Sequence, residues 1–378
     1  MIYLDNAATT FPKPPAVLTA VRYAMEHCGN PGRSGHALSL EGGAILLHAR
    51  EALAEYFHVQ NPLQFVFGLN CTDALNTAIQ GMVRPGGHVL CSALEHNSVL
   101  RPLATLHERG MCTFQAIEPG EDGRVTPEDY EAALTPETCL VIVTHASNVT
   151  GAVQPVTEIA ALCRKHRIPC LVDGAQAAGL TPVDLSAIGA DLYAMPGHKG
   201  LLGPQGSGVL YVGEGCWPRP LRQGGTGSVS SQLLQPMDLP DYYESGTPPL
   251  PAIAGLWAGV EFLLKYGNNL RAAEADLHQL LLQELGRLDE VELYSPLEEP
   301  SVGVVSFNVQ GVDSVVVADY LEEQGAVACR AGLHCAPFTH RYLGTLKRGA
   351  VRLSIGPFNT RRDIRKAVQT LERFLLES

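Results

Sequence analysis

Three short stretches of this 378-residue chain place a reactive side chain where an apolar run ends. In Met195-Pro196-Gly197-His198-Lys199-Gly200, followed by Leu201-Leu202-Gly203-Pro204, a lysine stands among glycines, which let a backbone approach a ligand closely. Its amine can form an imine with a carbonyl, and it reads equally as a solvated loop lysine. In Val172-Asp173-Gly174-Ala175-Gln176 a carboxylate closes an apolar strand, where it needs a cationic partner or a protonated ring nitrogen. Taken singly, Asp173 reads as a cap or turn residue. In Phe67-Gly68-Leu69-Asn70-Cys71-Thr72-Asp73 a strand runs into a helix start. Free N–H groups there and the Thr72 hydroxyl suit a phosphate, or Thr72 simply caps the helix.

The elements that must position these residues are read from periodicity. Strands are predicted at Gln64–Phe67, His88–Ala93, Cys112–Ile117, Leu140–Thr144, Pro169–Val172 and Val209–Val212. Between them, helical spacing covers Thr72–Met82, Ser98–Glu108 and Val156–His166. The Leu, Val and Ile run at Leu140–Thr144 has the pattern of a strand buried on both faces. Strand–helix alternation of this kind predicts an α/β fold with a doubly wound, mainly parallel sheet. The three clusters then fall at strand ends, where open α/β sheets place ligands.

Residues 214 to 250 are rich in Gly, Pro, Ser and Gln and predict a long functional loop. Helices follow at Ile253–Tyr266 and Leu270–Leu288, then strands at Val304–Val309 and Val351–Ile355 with helices at Ser314–Glu323 and Arg361–Leu376. That is a smaller α+β C-terminal unit. The expected division is a large domain over 16–249 and a small one from 1–15 and 250–378.

Composition narrows the function. A formal net charge of -12 argues against a nucleic-acid partner, which needs clustered Lys and Arg. No apolar stretch is long enough to cross a bilayer, and the opening Met1-Ile2-Tyr3-Leu4-Asp5-Asn6 lacks the features of a secretory signal, so the expected location is the cytoplasm. The ten cysteines lack zinc-type pairs and disulfide density, so no metal site is expected. Cys91, Cys139 and Cys170 sit in apolar runs and read as small buried hydrophobes.

An acid for a ring nitrogen, a lysine for an imine and a helix N-terminus for a phosphate are the protein contributions that pyridoxal 5'-phosphate (PLP) requires. In this order they resemble the fold type I PLP-dependent transferases. More narrowly, the chain resembles the class V aminotransferase group that contains cysteine desulfurases and selenocysteine lyases. The resemblance runs from Tyr3-Leu4-Asp5-Asn6-Ala7-Ala8-Thr9-Thr10 through Glu95-His96-Asn97-Ser98, Ser147-Asn148-Val149-Thr150-Gly151, Asp173-Gly174-Ala175-Gln176, Gly197-His198-Lys199 and Gly246-Thr247-Pro248. Its last stretch, Arg330-Ala331-Gly332-Leu333-His334-Cys335-Ala336, is similar to the Arg-x-Gly-x-x-Cys-Ala motif of group II, SUF-type enzymes.

The resemblance implies a role for each matching residue. Lys199 carries the cofactor and is the acid/base at the substrate α-carbon. Asp173 pairs with the pyridine nitrogen. His96 stacks on the ring and, as an imidazole near neutrality, shuttles a proton. Gln176 reaches the phenolic oxygen, with Asn148 close by. Thr72, the backbone at Cys71 and His198 hold the phosphate. Thr247 reaches the phosphate of a neighbouring subunit, which implies a homodimer. Arg352 grips the substrate carboxylate bidentately. Arg330 and His36 stand near the substrate or are, respectively, a salt-bridge arginine and a loop histidine. Cys335 is the thiolate that takes sulfur from cysteine as a persulfide, for delivery to an acceptor protein. His334 is not assigned as its base, because neighbours in an extended loop point apart. Cys329 reads as structural. Pro196 stands where the family usually has a phosphate-binding serine.

The expected activity is therefore conversion of L-cysteine to L-alanine. A selenocysteine lyase, another class V activity such as transamination or epimerisation, and a catalytically quiet binding partner are the alternatives. The placed Cys335 disfavours the second, and the intact Lys199, Asp173, His96 and Arg352 set disfavours the third.

Overall fold

Continuous Val, Leu and Ile runs leave the chain no polar face to expose, and in the computed structural model, which describes residues 1–32, 34–297 and 300–377, they form the middle of a sheet. β1 (Ile2–Tyr3), α1 (Pro15–His27) and α2 (Ala37–Tyr56) come first. The alternating region follows as β2 (Phe65–Gly68), α3 (Cys71–Met82), β3 (Gly87–Ser92), α4 (Asn97–Glu108), β4 (Cys112–Ile117) and α5 (Pro127–Ala133). It continues with β5 (Thr138–Thr144), α6 (Val156–His166), β6 (Cys170–Asp173), α7 (Leu185–Ile188), β7 (Leu192–Pro196) and β8 (Gly208–Val212). The sheet order is β2-β8-β7-β6-β5-β3-β4. β8 pairs antiparallel with both β2 and β7, so it alone runs against the other six. All seven residues of β5 are buried. Each buried Val, Leu or Ile there contributes ~1.5–3 kcal/mol. One apolar core lies on each face of the sheet.

No helix or strand forms between β8 and α8 (Leu250–Leu285), as the composition of that stretch predicts. The loop is nevertheless anchored. Glu244 pairs with buried Arg50 and accepts the Phe67 N–H at 2.6 Å, so it braces β2. The two helices predicted beyond it are one 36-residue helix. Gly267, Asn268 and Asn269 cost the helix about 1 kcal/mol or less each. Burial at both ends outweighs that: Ile253, Leu256, Val260 and Leu263 join the large core, while Leu277, Leu280, Leu281 and Leu285 join a third core. The boundary expected at 249/250 thus falls at the start of a helix whose first half packs on the larger sheet.

The third core surrounds a four-stranded sheet of order β12-β13-β10-β9, built from β9 (Val291–Leu293), β10 (Val304–Val309), β12 (Arg330–Gly332) and β13 (Ala350–Ser354). β11 (Val327–Ala328) pairs in parallel with β1, which brings the N-terminus to this unit. The helices α9 (Ser314–Gly325), α10 (Pro337–Tyr342) and α11 (Arg361–Glu377) complete it. Among the described residues, no helix is long and apolar enough to cross a membrane.

Candidate active site

Each cluster picked out by residue type lies where a parallel strand of the large sheet ends. Asp173 is the last residue of β6 and is in register with Thr144, the last residue of β5. β7 ends at Pro196, and Gly197-His198-Lys199 follows. β3 leads to His96, which caps α4, and β2 leads to Asn70, which caps α3 by accepting the Asp73 N–H at 2.9 Å. The cap of α3 is therefore Asn70 and not Thr72. The strand ends enclose a cavity of ≈ 240 Å³ whose lining includes Lys199, Asp173, Thr72, His96, Gln176 and Arg352. The glycines beside Lys199 answer to packing, not to a ligand. A Cβ on Gly197 would lie 2.1 Å from Ser207 Oγ, and one on Gly200 would lie 2.3 Å from the Ala178 carbonyl oxygen.

Burial dominates the electrostatics. It pushes the Lys199 ammonium below its usual pKa, partly offset by nearby Cys71 and Asp173. It pushes the Asp173 carboxyl up, opposed by the Ala175 N–H, by Lys199 and by the Cys71 thiol. Asp173 Oδ1 accepts from Ala175 N at 2.9 Å and lies 3.8 Å from Cys71 Sγ. A buried carboxylate with so little compensation suits a cationic ring nitrogen. Gln176 donates through Nε2 to the Ala7 carbonyl at 3.0 Å, while its Oε1 is buried without a partner. His198 Nδ1 is likewise buried and unpartnered. The residues present therefore fit PLP: an acid, an amine, unpaired polar atoms, and Cys71 and Thr72 at a helix start suited to a phosphate.

His96 departs from its expected titration. Desolvation, followed by the charges of Lys199, Arg330, Arg101 and Arg352, pushes it down to about 4. Its Nδ1 accepts the Ser98 N–H at 3.0 Å, so the ring is neutral with its proton on Nε2. Ser98 was read only as a helix start. Its hydroxyl lies 2.7 Å from Thr72 Oγ1 and 2.9 Å from His96 Nδ1. It brings to the Thr72 end of the cavity a hydroxyl that Pro196 cannot supply. Its place two residues after His96 was the available signal.

Glu95 was also missed as a site residue. It is fully buried, accepts from Ser92 Oγ and Thr144 N at 2.7 Å each, and leaves Oε2 unpartnered. Burial and the Asp173 charge raise its pKa to about 8.

Arg352, on β13, is 1% exposed. It donates to the Asn148 carbonyl at 3.0 Å and to Asp5 Oδ1 at 2.9 Å, while Nε lacks a partner. Any further carboxylate brought to this guanidinium must therefore compete with Asp5. Asn148 lines the cavity, but its side chain donates to the His334 carbonyl at 2.7 Å and so holds the cysteine loop.

That loop is not extended. His334 and Cys335 have φ of 48° and 60°, two successive left-handed residues that each cost ~1–2 kcal/mol. Asn148 on the His334 carbonyl, Asn97 N–H on the Cys335 carbonyl at 2.7 Å, and His334 Nε2 at 3.0 Å from the Ala350 carbonyl hold them there. Burial pushes His334 down to about 2, so it stays neutral and is no base for Cys335. Arg330 lines the cavity and places Nη2 3.9 Å from Cys335 Sγ. Cys335 itself lines an adjoining groove together with His96 and Ser98.

Two candidates lie elsewhere. His36 caps α2 by accepting the Ser39 N–H at 3.2 Å and is not part of the cavity lining. Thr247 lines a separate cavity with Arg50 and Glu244. Cys329 packs against the third core, and burial pushes its thiol up to about 12. Among the described residues, no His, Cys, Asp or Glu group could hold a metal ion.

A mainly parallel sheet with a lysine and a buried carboxylate at its strand ends is the architecture of fold type I PLP enzymes. The class-V aminotransferase family model matches residues 2–367, and the chain belongs to that family. Its relatives point to one branch, the cysteine desulfurases. It is 34% identical to a probable cysteine desulfurase of Methanothermobacter thermautotrophicus, over 98% of this chain and 94% of that protein. It is 32% identical to a cysteine desulfurase of Haloferax volcanii, over 98% and 89%. The apo structure of a cysteine desulfurase from Thermococcus onnurineus superposes with a TM-score of 0.92 at 29% identity, covering 100% of this chain and 95% of that one.

Proposed function

We propose that this protein is a PLP-dependent cysteine desulfurase in which Lys199 carries the cofactor and Cys335 receives the sulfur. One observation carries the assignment: Lys199, Asp173, His96 and Arg352 share one cavity, and Arg330 of its lining lies 3.9 Å from Cys335 Sγ. When bound, PLP draws electron density away from the substrate α-carbon. Asp173 holds the pyridine nitrogen protonated. Lys199, its ammonium pKa lowered by burial, moves the proton at the α-carbon. His96 stacks as a neutral imidazole, and Gln176 meets the phenolic oxygen. Thr72, the backbone at Cys71, and His198 hold the phosphate, with Ser98 braced against Thr72. Arg352 exchanges Asp5 for the substrate carboxylate.

The Cys335 thiolate attacks the substrate sulfur. A sulfur–sulfur bond forms, and the carbon–sulfur pair stays with the carbon that becomes the alanine methyl group. Arg330, with Nη2 3.9 Å from Cys335 Sγ, stands beside the attacking sulfur. Thr247 serves the site of a second copy, which makes the protein a homodimer, and an acceptor protein takes the sulfur onward. Ten cysteines, none in a disulfide, suit a reducing cytoplasm. The deciding experiment feeds cysteine to the purified protein, quantifies alanine, and maps added sulfur by mass spectrometry. Alanine in the absence of a Cys335 persulfide would refute the assignment of Cys335.

A further inference from the structure

The groove beside the cysteine loop has a chemistry of its own. It has a volume of ≈ 550 Å³, and its lining extends from Cys335, His96 and Ser98 along α4 to Arg109. Arg101 lines it from α4 and Arg109 from the C-cap of that helix, with Asn76 and Gln80 from α3. Among the described residues no carboxylate lines it, although the chain carries a net charge of -12. Among the described residues neither arginine has an ion-pair partner. Arg101 is near enough to His96 to act on its charge state. The two arginines are eight residues apart, one within α4 and one capping its end, a rise of about 12 Å. A space of this volume suits a small molecule, and two unpaired guanidinium groups favour an anion.

We infer that this groove admits a small thiol bearing carboxylates, a second acceptor of the Cys335 sulfur beside an acceptor protein. The inference rests on the desulfurase reading above. Cys335 stands between two spaces: Arg330 connects it to the deep cavity, while Cys335 itself is part of the groove lining. Sulfur enters from one side and leaves on the other. The acceptor thiolate attacks the outer sulfur of the Cys335 persulfide. A new sulfur–sulfur bond forms, the old one breaks, and Cys335 departs as a thiolate that takes up the proton the acceptor lost. No external oxidant or reductant is required.

Two measurements on the PLP-loaded protein test this. Calorimetry with 2-(methylthio)succinate, which cannot accept sulfur, should detect binding that weakens about tenfold or more in the Arg101→Gln/Arg109→Gln double variant, a loss of about 1.4 kcal/mol. Unchanged binding in the variant, or none in the native protein, overturns the proposal. In the second arm, persulfide-loaded protein is stripped by mercaptosuccinate or 2-mercaptoethanol at equal thiolate concentration. The dianion should show about tenfold higher kcat/KM, falling to parity in the double variant, with single-turnover alanine formation unchanged. Equal rates in the native protein overturn the proposal. So does a change of oligomeric state in the variant by sedimentation, which assigns the groove to contact between copies. If no persulfide forms on Cys335 at all, the desulfurase reading fails, and the calorimetry still decides whether the groove holds a dicarboxylate.

Discussion

The Lys199 cavity and the Cys335 loop are neighbours built on opposite principles. The cavity is set by the ends of buried parallel strands, whose ladder fixes Asp173 against Thr144 and carries β7 straight to the lysine. The loop is set by two left-handed residues that no strand or helix would hold, kept in place by bonds from Asn148, Asn97 and Ala350. The difference suits the two tasks proposed for them. Charge at a cofactor ring needs fixed groups in a dry site. A group that receives an atom on one side and passes it on from the other needs a rim position. The division predicts that the two regions fail in different ways.

The largest loss should come from Lys199→Ala. It should abolish alanine formation altogether, beyond the ~10²–10⁴ typical of a single acid/base group, and borohydride should no longer fix cofactor to the protein. Recovery of label on another lysine of the native chain would undo the comparison at its base.

Cys335→Ala should separate the regions. Cofactor should stay bound, and cysteine should still perturb its absorption, yet sulfur release should fall by orders of magnitude. Selenocysteine should be spared, because selenium leaves carbon more readily without a nucleophile. Near-native desulfuration of cysteine would show that the loop is not the sulfur-capturing region.

Asn148→Ala attacks the loop's support. Loss of a buried hydrogen bond to the His334 carbonyl should lower stability by ~1–3 kcal/mol, read by urea unfolding. Turnover of cysteine should fall more than that of selenocysteine. Equal losses would mean that the loop and the cavity act as one unit.

Glu95 sharpens the picture of the cavity through pH. Burial pushes its carboxyl up to about 8 in the folded chain, from the 4.5 of an exposed glutamate. The folded state therefore keeps a proton that the unfolded state has released. Its contribution to stability is present below 4.5 and is lost as pH rises toward 8. Glu274, also raised to about 8 by burial, adds a slope of the same sign. The melting temperature of the cofactor-free protein should fall from pH 5 to pH 8, and Glu95→Gln should flatten part of that fall. An unchanged slope in the variant would place the titration elsewhere.

The smallest effect belongs to Thr247→Ala. It should loosen PLP a few-fold, read by dialysis, with little change in the melting temperature, because a surface hydroxyl contributes little to folding. Unaltered cofactor affinity would remove Thr247 from the site of a neighbouring subunit.

The sequence carried the large sheet closely. β4 and α6 have the predicted bounds, and β5 begins two residues before the predicted strand, because strands buried on both faces leave unbroken apolar runs. β7 is not evident from periodicity, because Met195 and Pro196 run directly into the glycine-rich loop that holds Lys199. The long helix was cut in two at Gly267-Asn268-Asn269, where local propensity is weak and distant packing is strong. Ser98 and Glu95 belong to the Glu95-His96-Asn97-Ser98 motif, but their bonds to Thr72 and Thr144 join residues 26 and 49 positions apart.

What the sequence by itself determined is the set of reactive residue types, the strands that present them and the family they resemble, because those depend on neighbours within one turn or one strand. Only the tertiary structure decided their state. Asp5 meets Arg352 across 347 positions, and Asn148 meets His334 across 186. His96 loses its usual titration to desolvation and to positive charges that lie near it only once the chain has folded. Cys335 takes a left-handed backbone because three remote groups hold it there. Protonation, strain and access are properties of an enclosed space, and the space exists only after residues far apart in the chain have closed it.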